Sequence, residues 1–166
     1  MSEEIEIVPY AEDWPSLFEK EKVILQQVIG SAIAGIEHVG STAIPNMPAK
    51  PVIDILIESE AFPPSELIIT SLAGVGYTHK GDCGVPGRHF FKKGSPRSHH
   101  IHFTAVDGEV AQRLTRFRDI LRGDSSLASE YGELKQELAR QFKNDRDAYA
   151  LNKANFVNRV LGMNDS

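Results

Sequence analysis

The segment 52–57 (VIDILI) constrains the fold more than any other part of the sequence. This β-branched run, bounded by turn residues, predicts a buried strand. Because side chains alternate along a strand, Ile53, Ile55 and Ile57 share one apolar face, and Asp54 interrupts the other. A carboxylate at such a position must be paired, hydrogen-bonded or bound to a metal, since burying an isolated charge is very costly. Asp54 is therefore a candidate functional residue, and a structural hydrogen-bond network is the alternative.

Hydrophobic periodicity and turn residues predict a single α+β domain with a mixed sheet and a helical C-terminal half. We expect strands over 5–8, 36–39, 52–57, 77–80, 89–93 and 98–106, and helices over 13–30 and 63–74. From Glu109 onward the pattern is helical, with breaks at 123–124 and 144–145 and candidate caps at Asp124 or Ser125 and at Asn144. The sheet thus belongs to residues 1–108 and the C-terminal helices to 109–166.

Composition excludes several classes of protein. The 166 residues are 41% hydrophobic and 25% charged, which is typical of a soluble globular domain. A formal net charge of −5 argues against a protein that coats nucleic acid. The single cysteine, Cys83, excludes an internal disulfide and an all-cysteine zinc site. The acidic N-terminus is unlike a signal peptide and no apolar run is long enough to span a membrane, so we expect a cytoplasmic protein.

The segment 80–102 is basic within this acidic chain. It holds five cations and one acid, Asp82, together with four of the six histidines. The cations are Lys80, Arg88, Lys92, Lys93 and Arg97. A local cationic segment indicates a small anionic ligand, and a solvated loop with a strand edge is the alternative.

Two short motifs add candidate site residues. Gly40-Ser41 follows a predicted strand, where a glycine permits close approach to a ligand and a helical turn from Thr42 would aim amide groups at an anion. His100 and His102 form an H-x-H on one face of a predicted strand, at a spacing of about 7 Å. Together with Asp54 they would supply enough ligands for an open catalytic metal site. Ordinary turn residues and two exposed strand histidines are the alternatives.

Several motifs together resemble the GrpB family. They are HVGSTAIP at 38–45, AKPVIDIL at 49–56, PGRHFF at 86–91 and HHIH at 99–102. Positions near both ends also fit the family: Tyr10, Trp14, Phe18, Glu21, Tyr131, Leu134, Lys135, Leu138, Arg146, Tyr149, Lys153 and Phe156. The resemblance covers nearly the whole chain. It implies a nucleotidyltransferase-like fold in a bacterial family of unestablished activity, some members of which are fused to dephospho-CoA kinase.

The resemblance also implies a role for each motif. In the nucleotidyltransferase superfamily a Gly-Ser holds the triphosphate and acids on later strands hold two Mg²⁺ ions, so Gly40 and Ser41 match the first element and Asp54 matches the first, catalytic acid. The second acid position is occupied by Leu56, and Glu58 lies about 13 Å from Asp54 along the strand. Histidines stand where a third acid is expected, which favours Zn²⁺, Mn²⁺ or iron over Mg²⁺.

The sequence therefore predicts a nucleotidyltransferase-like protein that binds a nucleotide or phosphorylated small molecule with a divalent metal (Mg²⁺, Mn²⁺ or Zn²⁺). The predicted metal ligands are Asp54, His100 and His102. The predicted nucleotide- or phosphate-binding residues are Gly40, Ser41, Thr42, Lys50, Arg88, Lys92, Tyr149 and Lys153. A non-catalytic nucleotide- or coenzyme-binding module and a metal-dependent phosphoryl hydrolase are the alternatives. We expect neither a membrane partner nor an extended nucleic-acid surface.

Overall fold

The computed structural model describes residues 5–163 and begins with a segment whose Ile5 is buried in a cluster with Leu138 and Tyr149. The predicted strand at 5–8 is reduced to a single bridge between Val8 and Ala49, because only these two residues exchange backbone hydrogen bonds. Helix α1 (Trp14–Ile29) follows, with Asp13 at its N-cap and Pro15 in its first turn, and it buries Phe18, Glu21 and Leu25 among others.

Five strands form one mixed sheet in the order β1-β2-β5-β4-β3. The strands are β1 (Gly35–Val39), β2 (Ile53–Ser59), β3 (Tyr77–His79), β4 (Arg88–Lys93) and β5 (His99–Ala105). Only the central pair β2–β5 is parallel, and the other three pairs are antiparallel. The predicted hairpin is the β4–β5 pair. Helix α2 (Glu66–Ala73) separates β2 from β3 and is capped by the Ser65 hydroxyl, which accepts a hydrogen bond from the Ile68 N–H.

One face of the sheet carries the main hydrophobic core. Ile55 and Ile57 of β2 pack with Ile101 and Phe103 of β5 beneath helices α1 and α2. These four side chains have no solvent exposure. Because side chains alternate along β2, Asp54 lies on the opposite face of the sheet, as the sequence of the 52–57 segment predicts.

Three C-terminal helices cover that opposite face. They are α3 (Glu109–Gly123), α4 (Ser125–Gln141) and α5 (Arg146–Met163). Asp124 caps α4 through the Leu127 N–H, and Asp145, not the predicted Asn144, caps α5 through the Ala148 N–H. The predicted α+β class with a mixed sheet and a helical C-terminal half is confirmed. Among residues 5–163 every helix is too short or too polar to cross a lipid bilayer.

Candidate functional site

A cavity of about 450 Å³ lies between the Asp54 face of the sheet and the three C-terminal helices. Nearly all of the predicted site residues line it, although they come from distant parts of the chain. They are Gly40, Ser41, Thr42, Lys50, Asp54, Arg88, His100, His102, Tyr149 and Lys153. Lys92 is the exception: it shares this face of the sheet but does not line the cavity.

Asp54 and the two histidines are in direct contact. Oδ1 of Asp54 lies 3.1 Å from Nε2 of His102 and 3.4 Å from Nδ1 of His100. Burial alone would raise the pKa of the Asp54 carboxyl, but hydrogen bonds from His100 and His102 outweigh it and hold that pKa well below its usual range. Asp54 is therefore an ionised carboxylate at neutral pH and a weak proton acceptor.

The arrangement of these three side chains suits a hydrogen-bonded cluster better than a three-ligand metal site. Arg88 Nη1 lies 3.4 Å from Nδ1 of His102, and a guanidinium can only donate. Nδ1 of His102 is then the acceptor, so Nε2 carries the proton that faces Asp54 and has no lone pair for a metal. Across residues 5–163, no group of three or more His, Cys, Asp or Glu side chains is placed to hold a metal ion.

Gly40 lies directly against this cluster. Its φ of 76° is in the left-handed region, and a Cβ at this position would lie 2.5 Å from Oδ2 of Asp54. The glycine therefore permits the close contact between the β1–β2 loop and the carboxylate. The next residue, Ser41, opens a single 3₁₀ turn (Ser41–Ala43) that ends in the loop leading to β2.

Thr42 is held by a buried histidine that does not reach the cavity. His38 Nε2 and Thr42 Oγ1 are 2.8 Å apart, and the imidazole stacks on the ring of Phe18. Burial lowers the pKa of His38 to about 4, which keeps the ring neutral at physiological pH. His38 thus positions the loop that carries Ser41 and Thr42, and it does so without adding charge.

Three lysines converge on the cavity from the side of α4 and α5. Nζ of Lys50 and Nζ of Lys153 lie 4.8 and 5.4 Å from the centre of the same Tyr149 ring. Lys135 is 2% exposed, donates a hydrogen bond of 2.6 Å to the Pro48 carbonyl and lies over the Tyr131 ring. Cation–π contacts of this kind partly offset the desolvation of the ammonium groups.

Burial and crowding make these lysines weaker bases than usual. Burial, followed by repulsion from Lys153 and Arg146, lowers the pKa of Lys50 to about 8. Burial together with the charges of Lys153 and Lys50 lowers the pKa of Lys135 to about 6. An anionic ligand would reverse these shifts, because it stabilises the charged form of each lysine.

Arg88 and His100 each present a polar atom that the protein does not satisfy. Nε of Arg88 and Nε2 of His100 are buried and have no hydrogen-bond partner within the described part of the chain. Nη2 of Arg88 donates to the Asp82 carbonyl at 3.2 Å, which fixes the guanidinium above the cavity wall. Buried polar groups are normally paired, so unpaired atoms at a cavity indicate positions where a ligand or water binds.

The second acid position is closed by packing. Leu56 is fully buried against Val39 and Ala111 of α3. Glu58, farther along the strand, accepts a hydrogen bond from the Asp107 N–H at 2.8 Å and does not approach Asp54. Asp54 is therefore the only carboxylate among the described residues that line the cavity.

The structure adds cavity residues that the sequence analysis did not assign to the site. Lys135, Tyr131 and Arg113 contribute polar groups. The apolar wall consists of Val110, Leu114, Phe117 and Val157. One sequence pattern could have identified Tyr131 and Lys135. Their four-residue spacing repeats that of Tyr149 and Lys153 on the neighbouring helix, and residues four apart share a helix face. The apolar wall has no such signal, because its spacing is that of any buried helix.

Known proteins with similar sequences come from several bacteria. UPF0157 protein YqkA of Bacillus subtilis is 39% identical over 154 residues, which are 92% of this chain and 45% of that protein. UPF0157 protein PA4798 of Pseudomonas aeruginosa is 37% identical over 163 residues, covering 95% of this chain and 66% of that protein. The chain thus spans less than two thirds of the length of both relatives.

A solved structure shares the whole fold. The crystal structure of the conserved protein GrpB from Enterococcus faecalis is 30% identical and superposes with a TM-score of 0.87. The match covers 97% of this chain and 100% of that one. The sequence model described as "GrpB protein" matches residues 4–162. The chain therefore belongs to the GrpB family.

Proposed function

We propose that the cavity binds a phosphorylated small molecule, with a nucleotide as the first candidate. The observation that carries this proposal is the charge of the lining. Five basic side chains face a single carboxylate, that of Asp54, and three of the five are lysines whose pKa values burial lowers. The five are Lys50, Arg88, Arg113, Lys135 and Lys153. Protonation of the buried lysines costs stability without a ligand, and a polyanion offsets that cost.

The shape of the cavity favours a ligand with an apolar or aromatic part as well as phosphates. Its volume falls within the range of small-molecule sites. Leu114 and Phe117 of α3 and Val157 of α5 form an apolar wall, whereas the lysines come from the β1–β2 loop, α4 and α5. A nucleotide combines the two properties, since its base suits an apolar wall and its phosphates suit the lysines.

Nucleotidyl transfer is the candidate reaction, and the contact between Gly40 and Asp54 favours it. A Gly-Ser loop that touches a strand carboxylate is the part of the superfamily pattern that this chain keeps. The buried Leu56 removes the second acid, and the hydrogen bonds around Asp54 make it a poor base. A divalent ion at Asp54, His100 and His102 stays a prediction that the assay must test, and binding without turnover is the competing outcome.

Thermal unfolding with added ligands tests the binding proposal. A ligand at 100 times its Kd stabilises the folded state by about 2.7 kcal/mol, so ATP, GTP, CTP, UTP and pyrophosphate are compared at the same concentration. We expect the melting temperature to rise with at least one nucleotide, and to rise less in Lys135→Met and Lys153→Met. Lys20→Met, at an exposed position of α1, is the matched control. An unchanged melting temperature with every phosphorylated compound would refute the proposal.

The reaction is tested separately from binding. Wild type and Asp54→Asn are incubated with the stabilising nucleotide and with Mg²⁺, Mn²⁺ or Zn²⁺, and phosphorus NMR follows the products. Release of pyrophosphate by wild type alone, with binding retained by Asp54→Asn, shows attack at the α-phosphorus. A nucleotidyl group recovered on an acceptor hydroxyl supports nucleotidyl transfer, whereas free nucleoside monophosphate shows that water was the acceptor. Release of inorganic phosphate alone supports a hydrolase. A nucleotide that binds and stays intact with every ion, also after a mixture of small hydroxyl-bearing acceptors is added, supports a non-catalytic binding module.

A further inference from the structure

A row of cavity-facing side chains continues across the sheet beyond the cavity itself. The register places Asp54 opposite His100, His100 opposite Lys92, and Lys92 opposite Thr78 on β3. Directly opposite residues in neighbouring strands project from the same face. Because adjacent strands lie about 4.8 Å apart, Lys92 stands about 10 Å from Asp54, two strands away.

Lys92 belongs to a group of four cations outside the cavity, which we call the outer basic cluster: Lys80, Lys92, Arg97 and Arg146. Lys80 follows β3, and its N–H donates to the Phe90 carbonyl of β4. Arg97 lies in the β4–β5 hairpin, and Arg146 is the first residue of α5. Lys80 and Lys92 project from the same face of the β3–β4 pair, because Thr78 lies opposite Lys92 and Lys80 follows Thr78 by two residues. The charges of Arg97, Lys80 and Arg146 contribute, after burial, to the lowered pKa of Lys92, in agreement with this grouping.

These cations have no anionic partner in the described part of the chain. None of the ion pairs formed within residues 5–163 includes any of the four. Arg146 also stands at the N-terminus of α5, where the helix dipole disfavours a cation. The neighbouring Asp145 accepts the capping hydrogen bond from the Ala148 N–H. An unpaired cluster of like charges is unfavourable by itself, and an anionic ligand would relieve the repulsion.

The outer basic cluster and the cavity are electrostatically continuous. After burial and Lys153, both Arg146 and Arg97 contribute to the lowered pKa of Lys50, which lines the cavity. The geometry agrees, because Nζ of Lys50 lies 4.8 Å from the centre of the Tyr149 ring, and Tyr149 lies on α5 one turn after Arg146 and one turn before Lys153. Lys50 therefore lies between the inner lysines and the outer cations. A ligand that extends from the cavity past Lys50 would meet the outer basic cluster.

We propose that the outer basic cluster binds a second phosphate group of the same ligand, on the far side of Lys50 from the first. This inference rests on the proposed function, in which the cavity binds the first phosphate. The ligand is then an elongated small molecule with anionic groups at two separated positions. The formal net charge of −5 disfavours a long nucleic acid as the occupant, since such a partner would also meet the acidic remainder of the surface.

A pair of synthetic probes separates the two sites. Hexane-1,6-diol bisphosphate and hexyl monophosphate differ only in the second phosphate, and calorimetry measures the affinity of both. Linking two weak contacts raises affinity by about 10-fold or more, so wild type should prefer the bisphosphate by at least that factor. In the double variant Arg97→Gln/Arg146→Gln and in the single variant Lys80→Gln, the ratio of bisphosphate to monophosphate affinity should fall toward one. The affinity for the monophosphate should change by less than about threefold. Lys20→Gln on α1 should behave as wild type.

Each outcome distinguishes this inference from the proposed function. Equal affinity of wild type for the two probes overturns the second subsite, and so does a preference for the bisphosphate that survives in both outer variants. Failure of wild type to bind either probe, ATP or pyrophosphate refutes the cavity proposal instead. If an eight-nucleotide RNA binds more tightly than the bisphosphate, and the outer variants weaken that binding, the ligand is a nucleic acid and the small-molecule proposal is wrong. Circular dichroism of each variant confirms its fold.

Discussion

The two faces of the sheet use charged side chains in opposite ways. Beneath α1, Glu21 is buried and accepts hydrogen bonds from Tyr77 at 2.9 Å and from Lys93 at 2.8 Å, with His99 at 3.8 Å. Beneath α3, α4 and α5, one carboxylate, Asp54, stands among five basic side chains. The first face holds a network whose charges are satisfied by the protein, and the second holds an excess of positive charge.

This difference separates a structural network from a candidate binding site. The Glu21 network joins α1 to three strands and needs no ligand, because each charged member has a partner. The cavity side retains unpaired atoms on Arg88 and His100 and three lysines whose pKa values burial lowers. Buried charge without a partner is costly, so its persistence indicates a function that compensates for the lost stability.

Removing Glu21 should give the largest effect on folding. Glu21→Ala leaves the Tyr77 hydroxyl and the Lys93 ammonium without their acceptor beneath α1. Breaking a buried ion pair costs about 3 kcal/mol or more, and urea denaturation measures the loss in free energy of unfolding. Glu19→Ala, exposed on the same helix, should change stability by less than about 0.5 kcal/mol. A loss below about 1 kcal/mol for Glu21→Ala would show that the network contributes little.

Gly40 allows the same comparison on the cavity side. A Cβ at Gly40 would lie 2.5 Å from Oδ2 of Asp54, whereas at Gly87, which also has positive φ, no described atom lies within 4 Å of the added Cβ. Gly87→Ala should cost about 1 kcal/mol for its backbone conformation alone. Gly40→Ala should cost about 2–3 kcal/mol, because the carboxylate must also move. Equal losses in urea denaturation would contradict the close contact.

Lys135 makes stability depend on pH in a predictable direction. Its pKa falls from 10.5 to about 6 on folding, chiefly by burial, so between these values the unfolded chain binds a proton that the folded protein does not. The stability of wild type should therefore rise with pH across this window, and the cost is fully present below pH 6. Lys135→Met removes that cost and should be stabilised, relative to wild type, by about 2 kcal/mol more at pH 7.5 than at pH 9, since each pH unit within the window changes the cost by about 1.4 kcal/mol.

Unfolding in urea at several pH values checks this prediction. Lys20→Met serves as the control, since its exposed side chain should give a difference from wild type that does not vary with pH. A pH-independent difference between Lys135→Met and wild type would mean that Lys135 stays protonated in the folded protein. Bound pyrophosphate should reduce the pH dependence of wild type, because an anion raises the pKa of a nearby ammonium group.

The sequence was sufficient for those features that follow from local periodicity and from motif residues. Alternation in β2 predicted which face carries Asp54, and the H-x-H predicted that His100 and His102 would join it. Tertiary packing decided the rest. The proton on Nε2 of His102 depends on Arg88, and Lys135 reaches the cavity because Gly132 allows α4 to approach Pro48 closely. Neither contact can be predicted from residue spacing or composition.

The adjacent residues Lys92 and Lys93 allow the two faces of the sheet to be compared with the same type of side chain. Strand alternation directs Lys93 to Glu21 and Lys92 to the cavity face, so the basic segment 80–102 does not serve one ligand as a block. Lys93→Met should cost about 1 kcal/mol, a value reduced because the ammonium is partly exposed, and should leave bisphosphate binding unchanged. Lys92→Met should change stability by less than about 0.5 kcal/mol and weaken bisphosphate binding. If the two variants behave alike in both measurements, the division of charge between the faces has no energetic consequence.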